Sequence, residues 1–214
     1  MAQLSGNIGC PHWCYDEYSG YLEPDKEIVF PIVGTGHYVV GDYHTELLGV
    51  PSLYLENAKE LSKAAASLSD LLRPYAPDTI VGIAIGGLPL ATLCAQMLNL
   101  PLAVVEFNDH KSGTIRTRGA QLGCRCAIVD STFHSGATIK RVLDVTQETC
   151  GHSVLAVATR SIALNACSNH HIDIPVHALY HFPVHSWKPD ECPYCQNNIP
   201  FDERPAMRKI GGTI

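Results

Sequence analysis

Residues 126–142 (CAIVDSTFHSGATIKRV) bring a carboxylate, several hydroxyls and a glycine to the point where an apolar strand gives way to a helix. Asp130 closes the strand expected over 125–130, whose apolar run is Cys126–Val129. Ser135, Gly136, Ala137 and Thr138 stand at the expected helix entrance. The first backbone N–H groups of a helix lack intrahelical partners, and the helix dipole adds positive potential there, so the place suits a phosphate dianion. Ser135 and Thr138 can add hydroxyl donors, and Gly136 lets the backbone come close to a ligand. Asp130 can accept hydrogen bonds from a sugar diol. The chemistry these residues suit together is that of a sugar phosphate. The competing reading is an ordinary strand-to-helix turn capped by Ser or Thr.

The second chemical signal is cysteine. Cys10-Pro-His-Trp-Cys14 and Cys192-Pro-Tyr-Cys195 are knuckles near the two ends of the chain, outside the apolar segments. Four thiolates from two such knuckles would close a tetrahedral structural Zn²⁺ site, with His12 able to replace one of them. The alternatives are two unrelated reduced pairs or one redox-active pair. Cys124 and Cys126 alternate along a strand, face opposite sides and form no chelate. His170, His171, His177, His181 and His185 lack the helical spacing of an enzymatic metal motif, and no role is assigned to them.

The elements that must position these residues are legible from periodicity. Residues 28–50 are rich in β-branched and aromatic residues broken by Gly and read as short antiparallel strands. Ala58, Leu61, Ala65, Leu68 and Leu72 recur at helical spacing across 53–75, and Pro74 and Pro77 end that helix. Buried strands are expected at 79–85, 101–107, 125–130, 153–160 and 175–182, with helices at 90–98 and 138–150. Residues 108–123 read as a polar mobile loop, and everything after Pro183 as loop. Continuous apolar strands alternating with helices imply an α/β fold, a parallel sheet flanked by helices on both faces. Ligands in such sheets sit beyond the carboxyl ends of strands, where strand order switches. The expected division is 1–50 as N-terminal knuckle and hood, 51–182 as α/β core, and 183–214 as a tail carrying the second knuckle.

Composition bounds the function. The chain has 214 residues, 46% of them apolar, with 15 basic residues against 21 acidic for a net charge of −6. That supports a full core and excludes wholesale disorder. The acidic balance, with no basic run, argues against nucleic acid as a partner. The apolar stretch 80–107 is interrupted by Gly, Pro, Gln and Asn, so no membrane span is expected. The N-terminal residues do not read as a signal peptide, and nine cysteines, several in apolar segments, suit a reducing, cytoplasmic setting.

Strand, acidic residue, short loop, Ser-Gly-x-Thr and helix together resemble the 5-phosphoribosyl-1-diphosphate (PRPP) motif of type I phosphoribosyltransferases, most closely the orotate phosphoribosyltransferase-like branch. The resemblance covers about residues 30–182. It implies transfer of the 5-phosphoribosyl group from PRPP to a nucleobase-like acceptor, with Mg²⁺ on the substrate and a homodimeric protein. On this resemblance Asp130 holds the ribose hydroxyls, and Ser131, Thr132, His134, Ser135, Gly136, Ala137 and Thr138 line the phosphate loop. The family usually carries two consecutive acids; here Asp130 is followed by Ser131. Residues 81–91 resemble the pyrophosphate loop, with the amides of Ala84, Ile85, Gly86 and Gly87 facing the ligand. Lys111, Arg116 and Arg118 fall where the family keeps its catalytic loop, Arg160 where the orotate branch grips an acceptor carboxylate, and Tyr38 and Tyr43 in a hood over the base. For the cations of 111–118 and for Arg160, ordinary surface ion pairs are the alternative. Ser131 also admits a second expectation, a catalytically silent regulator of the same fold.

Overall fold

A computed structural model describes residues 32–40, 42–49, 57–107, 115–121, 125–150, 153–164 and 172–202. The large sheet forms because its strands are apolar on both sides. β3 (Thr79–Ile83) is buried throughout, and β6 (Arg125–Phe133) is buried over Cys126–Val129. Strand order is β5-β4-β3-β6-β7-β8, with β4 at Leu102–Phe107, β5 at Ile115–Gly119, β7 at Ser153–Leu164 and β8 at Val176–Pro183. All neighbours are parallel except β4 and β5, which are antiparallel.

Side chains alternate between the two faces. Ile80, Ala127, Val129, Ala156 and Ala158 pack under α1 (Ala58–Leu72) and α2 (Leu88–Leu98). Val81, Val105, Cys126, Ile128 and Val157 pack under α3 (Ala137–Cys150) through Ile139, Val142 and Leu143. Small residues let α1 and α2 approach closely: Ala64, Ala65, Ala91 and Cys94 are fully buried, and the Cys94 thiol donates to the Ala65 carbonyl at 3.4 Å. Among the described residues no helix is long and apolar enough to cross a membrane.

The α1 helix starts at Asn57, whose side-chain oxygen accepts from the N–H groups of Lys59 (3.1 Å) and Glu60 (3.3 Å). Asn57→Ala leaves both donors without that partner and is expected to destabilise the protein by about 1 kcal/mol. Thermal unfolding should then move down by about 2–4 °C; an unchanged midpoint would remove the cap from the account.

β3 lies at the centre of the topology. The chain leaves it toward β4 on one side and later returns to β6 on the other, so strand order switches between the carboxyl ends of β3 and β6. A small sheet, β1-β2-β9, stands apart in topology: β1 (Ile32–Val40) and β2 (Tyr43–Gly49) form a hairpin, and β9 (Ser186–Trp187) pairs with β2.

Several elements differ from the expectations above. β6 does not stop at Asp130. Thr132 pairs with Ser161 and Phe133 with Ile162, and β7 runs on to Leu164. A hydroxyl ladder keeps this polar stretch in the sheet: Thr132 Oγ1 and Ser161 Oγ are 3.1 Å apart, and Ser161 Oγ donates to the Ser131 carbonyl at 3.3 Å. Part of the expected mobile loop is β5, held to β4 by the ladder from Ala103 and Gly119 to Phe107 and Ile115 and by the pair Arg118–Glu106. The tail after Pro183 is not all loop either, since it supplies β9 and the short helix α4 (Pro193–Gln196).

Candidate active site

The switch point brings two backbone segments into contact. The loop after β3 presses closely on β6, against backbone at Gly87 and against a side chain at Gly86. A Cβ on Gly87 would lie 2.7 Å from Asp130 Cα and 2.8 Å from both Asp130 Oδ1 and the Val129 carbonyl; one on Gly86 would lie 2.8 Å from Ser131 Oγ. The half-buried Asp130 thereby lies with Oδ1 against the β3–α2 loop. Burial pushes its pKa up to about 7, and the Ser131 N–H, which donates to Asp130 Oδ1 at 2.7 Å, only partly offsets this. Ser131 is itself buried, and Thr132 half-buried.

Beyond Phe133 the chain needs only His134, Ser135 and Gly136 to reach α3. Gly136 has φ +77° and its carbonyl accepts the first helical bond, from the Lys140 N–H at 2.8 Å. Its positive φ is the reason glycine belongs there. The Ala137 N–H reaches Ser135 Oγ at 3.4 Å, a long bond that a phosphate oxygen would readily displace. Thr138 is exposed at the helix start. Burial lowers the His134 pKa, and its Nε2 is a buried atom without a hydrogen-bond partner. A buried polar nitrogen with no partner is uncommon. Here it sits in the loop that the sequence pattern associates with an anion.

The other expected residues are distributed unevenly. In the β3–α2 loop the Ala84 N–H donates to the Val105 carbonyl (2.9 Å) and the Gly87 N–H to the Ile83 carbonyl (3.0 Å), so these two amides serve the fold. The Ile85 side chain is 85% exposed at the turn. Arg118 is exposed and bonds Glu106 through Nε at 2.8 Å, which keeps its pKa raised. Arg116 stands opposite Glu106 in the β4–β5 register, and Lys111 lies outside the described residues. Arg160 does not end its strand. It is 3% exposed, four residues before β7 finishes, with its guanidinium carbon 5.4 Å from the Tyr180 ring centroid. Tyr38 is buried, with Cζ and its hydroxyl each 2.9 Å from where a Cβ on Gly36 would lie, and Tyr43 is half-buried at the start of β2.

Only the C-terminal half of the expected cysteine site lies within the described residues. Cys10, Cys14 and His12 lie outside the described residues. Beside Cys192 and Cys195 stand His37 and His44 of the small sheet, with the four candidate ligand atoms all within 4.8 Å of one another. Neither histidine was singled out from the sequence. The usable signal is the hairpin register, in which Val39 pairs with His44, so that His37 falls on the same face two places along.

No model of a known protein family matches the chain. A protein of Methanoculleus marisnigri named transcriptional regulator GfcR is 30% identical over 192 residues, 83% of this chain and 86% of that protein. An orotate phosphoribosyltransferase of Thermotoga petrophila is 28% identical over 146 residues, 67% of this chain and 74% of that one. Among solved structures, an orotate phosphoribosyltransferase from Aeropyrum pernix superimposes with a TM-score of 0.60 at 18% identity, covering 71% of this chain and 88% of the other.

Proposed function

The chain belongs to the type I phosphoribosyltransferase family, in its orotate phosphoribosyltransferase-like branch, and from that premise we propose that it binds PRPP over Asp130 and transfers the phosphoribosyl group to a ring nitrogen of a nucleobase-like acceptor, releasing pyrophosphate. The observation that carries this reading is the Asp130 carboxylate, pressed against Gly87 at the switch point and followed by a three-residue turn into α3.

In this reading Asp130 accepts hydrogen bonds from the ribose hydroxyls, which are charge-assisted when the carboxylate is ionised. Residues 134–138 take the 5-phosphate through the α3 N-terminus, and the phosphate supplies the partner that His134 Nε2 lacks. Ile85 and Gly86 border the diphosphate. As the bond from C1 to the diphosphate breaks, its electron pair leaves with pyrophosphate, the acceptor nitrogen supplies the pair for the new C–N bond, and the proton that nitrogen carried passes to pyrophosphate or water. Pre-oriented dipoles and cations lower the barrier by meeting the charge that develops on the leaving group. Lys111 and Arg116 are our proposed cations. Arg118 would have to exchange Glu106 for the ligand. Tyr43 is the accessible candidate for stacking on the acceptor ring. Arg160 would act on the acceptor only through a pocket that reaches below the strand end.

The donor set fits Mg²⁺ in one respect. Magnesium is commonly held by one or two carboxylates together with substrate phosphates, and Asp130 supplies one carboxylate. When bound, the ion neutralises diphosphate charge. A homodimer acting in the cytoplasm completes the reading.

A second reading is favoured by Ser131, which stands where the family usually has its second acid, and by the relative named as a transcriptional regulator. Here the same pocket binds PRPP or a nucleotide as a signal, without turnover. Pyrophosphate release from PRPP, measured with Mg²⁺ and a panel of pyrimidine and purine bases, separates the two. Release that depends on one base establishes the transferase. Saturable PRPP binding with no release on any base establishes the sensor.

A further inference from the structure

We infer that His37, His44, Cys192 and Cys195 form a closed, tetrahedral zinc site that clasps the β1–β2 hairpin to the C-terminal knuckle. The inference rests on geometry that is independent of the PRPP pocket. His37 Nε2 lies 3.3 Å from His44 Nδ1, 3.4 Å from Cys192 Sγ and 3.7 Å from Cys195 Sγ, and Cys195 Sγ lies 3.3 Å from His44 Nδ1. A tetrahedral ion with bonds of about 2.0–2.1 Å to nitrogen and about 2.3 Å to sulfur sets its ligand atoms roughly 3.3–3.8 Å apart. These four separations are therefore those of ligands around one ion, and the other two pairs lie within 4.8 Å.

Protonation alone does not account for this cluster. The other ring nitrogen of His37, Nδ1, is 2.8 Å from the Ile199 carbonyl, which can only accept, so Nδ1 carries the proton. The Nε2 lone pair then points at a second imidazole nitrogen and two sulfurs. Lone pairs converge on one small volume, and a cation is what they lack. The carbonyl on Nδ1 is also the outer-shell support that metal-bound histidines usually have. His37, His44 and Cys192 are buried and Cys195 half-buried, so the centre is shielded from solvent.

Local structure aims every ligand. The turn of α4 brings both thiols to one side, with the Gln196 N–H donating to the Cys192 carbonyl at 3.1 Å. Phe201 packs on His37 at 4.0 Å between ring centroids, and Tyr194 stacks on it at 5.2 Å. Asp202 clamps the His37 backbone from both sides, accepting its N–H and donating to its carbonyl, each at 2.8 Å.

Two thiolates and two imidazoles in a tetrahedron select zinc, and with four protein ligands no position is left for substrate or water, so the role is structural. Both nitrogens lie within 3.7 Å of Cys195 Sγ, which argues for one ion rather than a two-iron cluster with its sulfur and nitrogen ligands on different irons. The small sheet needs such a staple: β9 contributes only two residues to it, and sheets this small are marginal without outside support. Metal binding then becomes part of the folding of the hairpin that carries Tyr43.

The test uses the full chain, reconstituted with zinc or cobalt. One zinc per chain is expected, together with a cobalt spectrum of tetrahedral ligand-field bands and thiolate charge transfer. His44→Cys should keep the metal and raise the charge-transfer intensity by about half, as three thiolates replace two. The Cys10→Ser, Cys14→Ser double variant should bind as the parent does. A weak octahedral cobalt spectrum, zinc far below one equivalent after reconstitution, an unchanged His44→Cys spectrum, or loss of metal in the Cys10, Cys14 variant would each overturn the assignment.

Discussion

Asp130→Asn is expected to remove function and raise stability at the same time. The lost carboxylate takes with it charge-assisted hydrogen bonds to the ribose, so PRPP affinity should fall about 100-fold at pH 8, and any turnover with it. Stability moves the other way. Burial holds the folded pKa at about 7, above its ordinary value of 3.8. Below pH 4 the carboxyl is neutral in both states and carries no penalty. Between pH 4 and 7 the unfolded chain releases its proton while the folded chain retains it, so the stability of the parent protein falls as pH rises. Above pH 7 both states are ionised and the penalty levels off. Asparagine has no such penalty. Its advantage should grow from about pH 4 and reach a plateau above pH 7, on the order of 2 kcal/mol after allowance for solvent screening, with a gain of about 2–4 °C per kcal/mol in thermal unfolding. A variant that loses binding and also unfolds earlier at pH 8 would mean that the carboxyl is a structural group. For the parent, PRPP affinity should rise as pH is raised through about 7.

Gly87→Ala should be the most damaging change to the β3–α2 loop. The new methyl would meet Asp130 Cα and the Val129 carbonyl at 2.7–2.8 Å, and backbone cannot rotate away. Overpacking of this kind costs about 1–3 kcal/mol, and it pushes the loop off the carboxylate, so PRPP binding should be lost together with stability. Gly86→Ala provides the contrast. Its methyl meets only Ser131 Oγ at 2.8 Å, the end of a side chain. The effect should be milder, and Ser131→Ala in the same chain should relieve it. Calorimetry of the two single variants and the double variant checks this order. Equal damage at both positions, or no rescue by Ser131→Ala, would show that loop contact is not what positions the site.

Much of the fold around Asp130 was readable in the sequence. The sheet strands are continuous apolar runs, which is what burial on both faces demands, and the position of Asp130 followed from the end of such a run. The misreadings have physical causes. Ser131 and Thr132 look like loop, but the Thr132 and Ser161 hydroxyls bond across strands and carry β6 three residues past Asp130. β5 (IRTRG) holds a single apolar residue, so its sequence offers no apolar–polar alternation to read as a strand. Arg160 looked like a strand-end ligand because the continuation of β7 as Ser161–Leu164 was not expected. The histidine half of the metal cluster was hidden for another reason. His37 and His44 are neighbours only through a hairpin register, and they meet Cys192 and Cys195 only through the fold, so no linear spacing announces them.

The most direct test of the central claim is calorimetric titration of the full chain with PRPP and Mg²⁺ at pH 8, repeated on Asp130→Asn. One saturable site per chain that weakens about 100-fold in the variant is the expected result. No binding by the parent at millimolar PRPP, or equal binding by both proteins, would contradict it.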